Sequence, residues 1–200
     1  MPDPGRRNGL TAPPHPRSKR SDAEGNRARI VEIASAAFAC SPDATLQSIA
    51  KAAGVGQGTM YRHFPSREAL LLTVYRAEVD ALVQAAPRLL AEHESLRALR
   101  LWFGRLAAYG RVKQGASQAL EAATRADLGS RSYPQVAAAL DQLLGACEAA
   151  APLRPGTNAD EVLLLVSFLW KVDDGPDWHE RTDRMLSIVV DGLRGTAPHV

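Results

Sequence analysis

The 200-residue sequence predicts an all-α fold, and three observations carry that expectation. Apolar residues recur at spacings of three and four along most of the chain, which marks one buried face of a helix. No stretch holds a strand's period of two for long. The breaks between periodic segments carry Gly or Pro, the residues that end helices and set turns.

The elements follow in order. Residues 1–22 hold Pro2, Pro4, Pro13, Pro14 and Pro16 with almost nothing apolar, so they read as a flexible arm ending in Arg17, Lys19 and Arg20. From about Gly25 a helix buries Ile30, Ile33, Ala34, Ala37 and Phe38. Pro42 breaks it, and Thr45 is placed to cap a second helix, Leu46 to Ala53, with Ile49, Ala50 and Ala53 inward. A third helix runs from Gln57 to Phe64 and stops at Pro65. Ser66 then caps a longer fourth bearing Leu70, Leu71, Val74, Val79 and Leu82. Beyond Pro87, helices are expected near 94–112, 115–125, 133–151, 159–173 and 178–194. Their breaks are Gly115, "DLGSRSYP", "PLRPGTN" and "DDGPD". Asn158, three residues before Glu161, suits a helix start.

Composition narrows the function. With 46% hydrophobic and 23% charged residues the chain is ordinary for a soluble globular protein. The longest apolar run, "VLLLVSFLW", is too short to span a membrane, and no signal-peptide stretch opens the chain. Cys40 and Cys147 form no metal or redox spacing, which fits a reducing cytoplasm and no cofactor. Up to Arg76 the chain holds eleven Lys/Arg against six Asp/Glu; beyond it, thirteen against sixteen. A basic front and a mildly acidic rear point the first third toward a polyanion.

The stretch "AAGVGQGTMYRHF", residues 52–64, places three glycines between two clean helical patterns. Each glycine inside a helix costs roughly 1 kcal/mol against alanine, so a turn is expected there. Gly54 would end one helix in a left-handed conformation, Gly56 would cap the next, and Gly58 would leave its first turn uncluttered. Two short helices around such a turn, set against a preceding helix, describe a helix-turn-helix. Met60 and Phe64 should point inward. Gln57, Thr59, Arg62 and His63 are then candidates for base edges and Tyr61 and Arg67 for phosphates, while Gly58 lets backbone amides approach a phosphate and Thr45 stands at the start of the preceding helix. Any one of these alone reads as a solvated surface residue; together, after a basic arm, they favour DNA.

Residues 23–82 resemble the DNA-binding domain of the tetracycline-repressor (TetR) family of bacterial regulators. The matching residues are "RIVEIASAAF" and "ATLQSIAKAAGVGQGTMYRHFPSREALL". Two departures are visible: Gly56 stands where a capping serine is usual, and Arg67 where lysine is. The resemblance implies a homodimer on a double-stranded DNA operator, with residues 83–200 as a helical-bundle ligand-binding and dimerisation domain. It also implies a repressor released by an unidentified small-molecule effector.

The rear of the chain adds its own signals. "EVLLLVSFLWKV" is apolar almost all round, so its helix should be buried on more than one side. With the following helix it would pair with its copy through Leu165, Leu169, Met185 and Val189. Trp102, Phe103, Leu106 and Tyr109, opposed by Cys147, Phe168 and Trp170, could wall an apolar pocket. Arg105, Lys113, Gln118, Glu121 and Thr124 could supply its polar contacts; core filling is the competing reading for each aromatic. Two rival functions are weighed against a ligand-controlled regulator. An enzyme has little support, because no HExxH, GxSxG or phosphate loop is present. A DNA-binding protein without ligand control differs only in lacking a pocket.

Overall fold

The computed structural model describes residues 16–41, 43–119, 122–171 and 175–195, with side chains for 23–41, 43–110, 130–169 and 175–195. Among them are eight α-helices and one 3₁₀ stretch: α1 Pro16–Cys40, α2 Leu46–Ala52, α3 Gln57–His63, α4 Arg67–Glu92, α5 Ser95–Ala119, α6 Ala122–Ala150, α7 Ala159–Leu165, the 3₁₀ stretch Val166–Lys171, and α8 Trp178–Leu193. The all-α expectation holds. No described helix is long and apolar enough to cross a membrane.

Local chemistry sets the helix starts. The Thr45 hydroxyl accepts the Ser48 amide at 3.2 Å, and the Ser48 hydroxyl accepts the Thr45 amide at 3.1 Å, a reciprocal cap for α2. Ser66 accepts the Ala69 amide to start α4, and Asn158 accepts the Glu161 amide to start α7. The Glu68 carboxyl, in the first turn of α4, is held below its ordinary value by a backbone amide, then by Ser66 and Arg67.

Four expectations require correction. α1 begins at Pro16, so residues 16–22 of the expected flexible arm are helical; the rest of the arm lies outside the described residues. Gly115 does not end a helix, because α5 runs through it to Ala119, and the separate helix at 115–125 is absent. "DLGSRSYP" lies inside α6, including Pro134, and Pro87 lies inside α4. A proline there removes one helical hydrogen bond, and a glycine costs about 1 kcal/mol. Both prolines are exposed, while Ala85, Ala86 and Leu89 beside one and Val136, Ala139 and Leu140 beside the other are buried. Packing outweighs the local penalty. The expected helix at 159–173 is α-helical only to Leu165, where Val166 turns it into the 3₁₀ stretch.

α4 organises the molecule. It packs on α1, where the Ser35 hydroxyl bonds Glu78, and on α5 and α6. At 26 residues it is about 39 Å long and crosses the boundary drawn at residue 82 without a break. The rear half closes with α8 against α5, and a short antiparallel bridge pins its end: Arg154 donates to Leu193 at 2.8 Å and Gly195 to Pro152 at 3.0 Å.

Candidate nucleic-acid interface

The α2–α3 turn is built from glycine stereochemistry. Gly54 sits at φ +65, a conformation that costs an L-residue roughly 1–2 kcal/mol. Its position lets the Val55 amide reach the Ala50 carbonyl at 3.0 Å. Gly56 is the N-cap of α3, at φ −66 and ψ 150, and its carbonyl accepts the amides of Thr59 and Met60. Val55 packs half-buried against the core.

α3 presents one face inward and one outward. Met60 and Phe64 are each 1% exposed and belong to the same hydrophobic core as Ile30, Ile49 and Leu70. Gln57, Gly58, Tyr61 and Arg62 are exposed, with Tyr61 at 53%. Thr45 is exposed at the start of α2. Thr59 and His63 are half-buried at the edges of the same face. Arg62 folds along its own helix, donating from Nε to the Gly58 carbonyl at 3.1 Å.

Two arginines flank this unit through aromatic rings. Arg27 of α1 lies over the Phe64 ring at 5.2 Å, and Arg67 of α4 over the Phe38 ring at 5.3 Å. Arg67 is half-buried and donates from Nε to the Ala44 carbonyl at 3.0 Å. Sequence reasoning placed its charge on a phosphate; here its Nε–H is bonded within the protein. Exposed Gln47 and Lys51 of α2 were not singled out, although they lie on the polar side of a helix whose inward residues were correct.

The residues expected to wall a pocket fill the core. Trp102 and Phe103 are fully buried, Leu106, Cys147 and Tyr109 nearly so, and Phe168 is half-buried. The Trp102 indole donates to the Leu82 carbonyl of α4 at 2.9 Å. Tyr109 donates to the Tyr75 hydroxyl at 2.8 Å, which lies 2.9 Å from the Ser132 hydroxyl, so three hydroxyls link α5, α4 and α6. Burial, then the bond to Tyr75, pushes the Tyr109 hydroxyl well above its ordinary range. Tyr75 and Ser132 went unnoticed, because a contact 57 residues apart leaves no periodic trace. Arg105 is exposed; the side chains of Lys113, Gln118, Glu121, Thr124 and Trp170 lie outside the described residues.

At the rear, the expected pairing residues divide. Leu165 is 55% exposed and Met185 is half-buried. Leu169 and Val189 are buried within the chain, at 2% and 7%, and belong to its own core. Leu164 and Ile188, at 74% and 72%, are the most exposed large apolar side chains described, and both were missed. Their signal was legible: each is apolar on the polar side of its helix, Ile188 four residues beyond Arg184. A groove of about 350 Å³ between α7, α8 and the 154–157 loop is lined by Leu165, Ile188 and Val189.

Comparison with known proteins agrees with this geometry. The family model for bacterial regulatory proteins of the tetR family matches residues 41–74, and that for the SbtR-like transcriptional regulator C-terminal domain matches residues 94–195. A TetR transcriptional regulator from Streptomyces coelicolor superposes with TM-score 0.76 and 37% identity, covering 86% of this chain and 99% of that one. A TetR regulatory protein from Mycobacterium vanbaalenii gives TM-score 0.69 at 28% identity, covering 88% and 99%. An HTH-type transcriptional regulator of Staphylococcus aureus is 38% identical over 66 residues, 32% of this chain and 36% of its own length. The chain thus spans about a third of the curated relatives it matches. With one model matching just over half its length and a solved relative matched nearly end to end, the chain belongs to the TetR family of transcriptional regulators.

Proposed function

We propose that the protein binds a double-stranded DNA operator as a homodimer and represses transcription until a small apolar or amphipathic ligand releases it. One observation carries the DNA-binding part: α3 is anchored by Met60 and Phe64 while Gln57, Gly58, Tyr61 and Arg62 are exposed on its outer face. A short helix held rigidly from behind can enter a major groove without losing its register. Gln57 and Thr59 read base edges, and Tyr61 bonds phosphate. The exposed patch of Leu164, Leu165 and Ile188 supports two-fold pairing, since apolar side chains at this exposure gain by meeting their copies.

Ligand control is supported by the polar chain of Tyr75, Tyr109 and Ser132 in an apolar interior, beside the helix that carries the reading head. A ligand that rearranged α5 or α6 there would move α4. It controls DNA affinity only by favouring one spacing of the heads; a hundredfold effect needs about 2.7 kcal/mol of coupling. The close packing of Trp102, Phe103 and Leu106 favours a second reading, DNA binding without ligand control.

Selection from random DNA tests the first part. The wild-type protein should enrich one sequence, and Gln57→Ala or Thr59→Ala should relax it at single positions, by about 1–3 kcal/mol per lost base contact. Enrichment unchanged by both substitutions contradicts the assigned face. A thermal-shift screen of small molecules separates the two readings of the rear half: stabilisation that Tyr109→Phe weakens supports ligand control, and no stabilisation supports its absence.

A further inference from the structure

The structure assigns Arg67 as a positioning residue for DNA reading, holding the start of α2 rather than a phosphate. This rests on the DNA-binding role proposed above. The connection between α1 and α2 is short, and Thr45, which caps α2, belongs to the exposed reading surface. The Ala44 carbonyl, one residue before that cap, accepts the Arg67 Nε–H at 3.0 Å. The guanidinium carbon also lies over the Phe38 ring, 5.3 Å from its centre, near the end of α1. One side chain thus joins three helices at the point where the chain enters the helix-turn-helix. A cation set over an aromatic ring together with a directed Nε–H bond is a task for arginine; a lysine has a carbon where that nitrogen sits. The half-buried side chain spends its Nε–H inside the protein, on the Ala44 carbonyl.

Two substitutions separate the roles by their atoms. In Arg67→Gln, the amide nitrogen lies as many bonds from the backbone as the arginine Nε, so the bond to Ala44 can be kept while the charge is lost. In Arg67→Lys, the charge is kept and a carbon occupies that position. Positioning predicts that the Gln variant stays within about threefold of wild-type operator affinity, with an unchanged salt slope, while the Lys variant falls by about tenfold. A phosphate contact predicts the reverse order, with the Gln variant losing about one unit of salt slope.

Amide hydrogen exchange reads the same claim without DNA. The Ser48 amide, held by the Thr45 hydroxyl, should keep its protection in Arg67→Gln and lose it in Arg67→Lys. Equal protection in both variants, or tighter operator binding by the Lys variant, overturns the assignment. A wild-type protein that selects no DNA sequence instead refutes the DNA-binding reading, and leaves the exchange experiment to decide the role of Arg67.

Discussion

Two glycines in one turn should respond to substitution with opposite signs. Gly54 has φ +65, and a Cβ built there meets nothing within 4 Å. The cost of Gly54→Ala is therefore backbone strain alone, about 1–2 kcal/mol. Gly56 has φ −66, and its Cβ also meets nothing within 4 Å. Gly56→Ser keeps the backbone unstrained, restricts the unfolded chain by about 0.4–1 kcal/mol, and supplies a capping hydroxyl worth a few tenths more. The first variant should melt lower and the second higher, at about 2–4 °C per kcal/mol for a chain of this size. Circular dichroism in urea, followed at 222 nm, measures both. Gly54→Asn should lose less than Gly54→Ala, because asparagine tolerates the left-handed region. Equal behaviour of Gly54→Ala and Gly56→Ser would refute the turn geometry from which α3 is aimed.

Three further outcomes follow from side-chain positions. Ile188→Glu and Leu165→Glu, at exposed sites, should leave helicity intact and convert a dimer to a monomer in sedimentation, whereas Val189→Glu, at 7% exposure, should unfold the chain. Gly195→Ala would bring a Cβ to 2.8 Å from the Pro152 carbonyl, so it should break the 152–195 bridge and speed amide exchange at Arg154 with little effect on α1–α3. Phe103→Ala, in the closed core, should cost about 3–5 kcal/mol in urea denaturation; a loss under 1 kcal/mol would show that the ring stands in an open pocket.

The front of the molecule was legible in the sequence because its signals are local. Gly54, the caps Thr45 and Ser66, and the inward pair Met60 and Phe64 each depend on neighbours within one helical turn. Arg67 was legible as a charge but not as a contact, since its partners Phe38 and Ala44 lie 29 and 23 residues away. The rear was harder. Pro87 and Pro134 carry real local penalties, and the buried residues beside them show why the helices continue through them. Periodicity found the stripe that packs α8 on its own chain and so pointed to Val189; the exposed Ile188 lies off that stripe. The Tyr75–Tyr109–Ser132 chain could be found only once α4, α5 and α6 were brought together.

Footprinting on the selected DNA site tests the central claim most directly. Two heads on a two-fold axis predict two symmetry-related protected half-sites, their centres one helical turn or a multiple apart, about 10–10.5 base pairs each. Ile188→Glu should abolish protection of both half-sites at concentrations where the wild-type protein fills them. A single protected half-site, equally occupied by wild type and Ile188→Glu, would contradict a dimer reading DNA through α3.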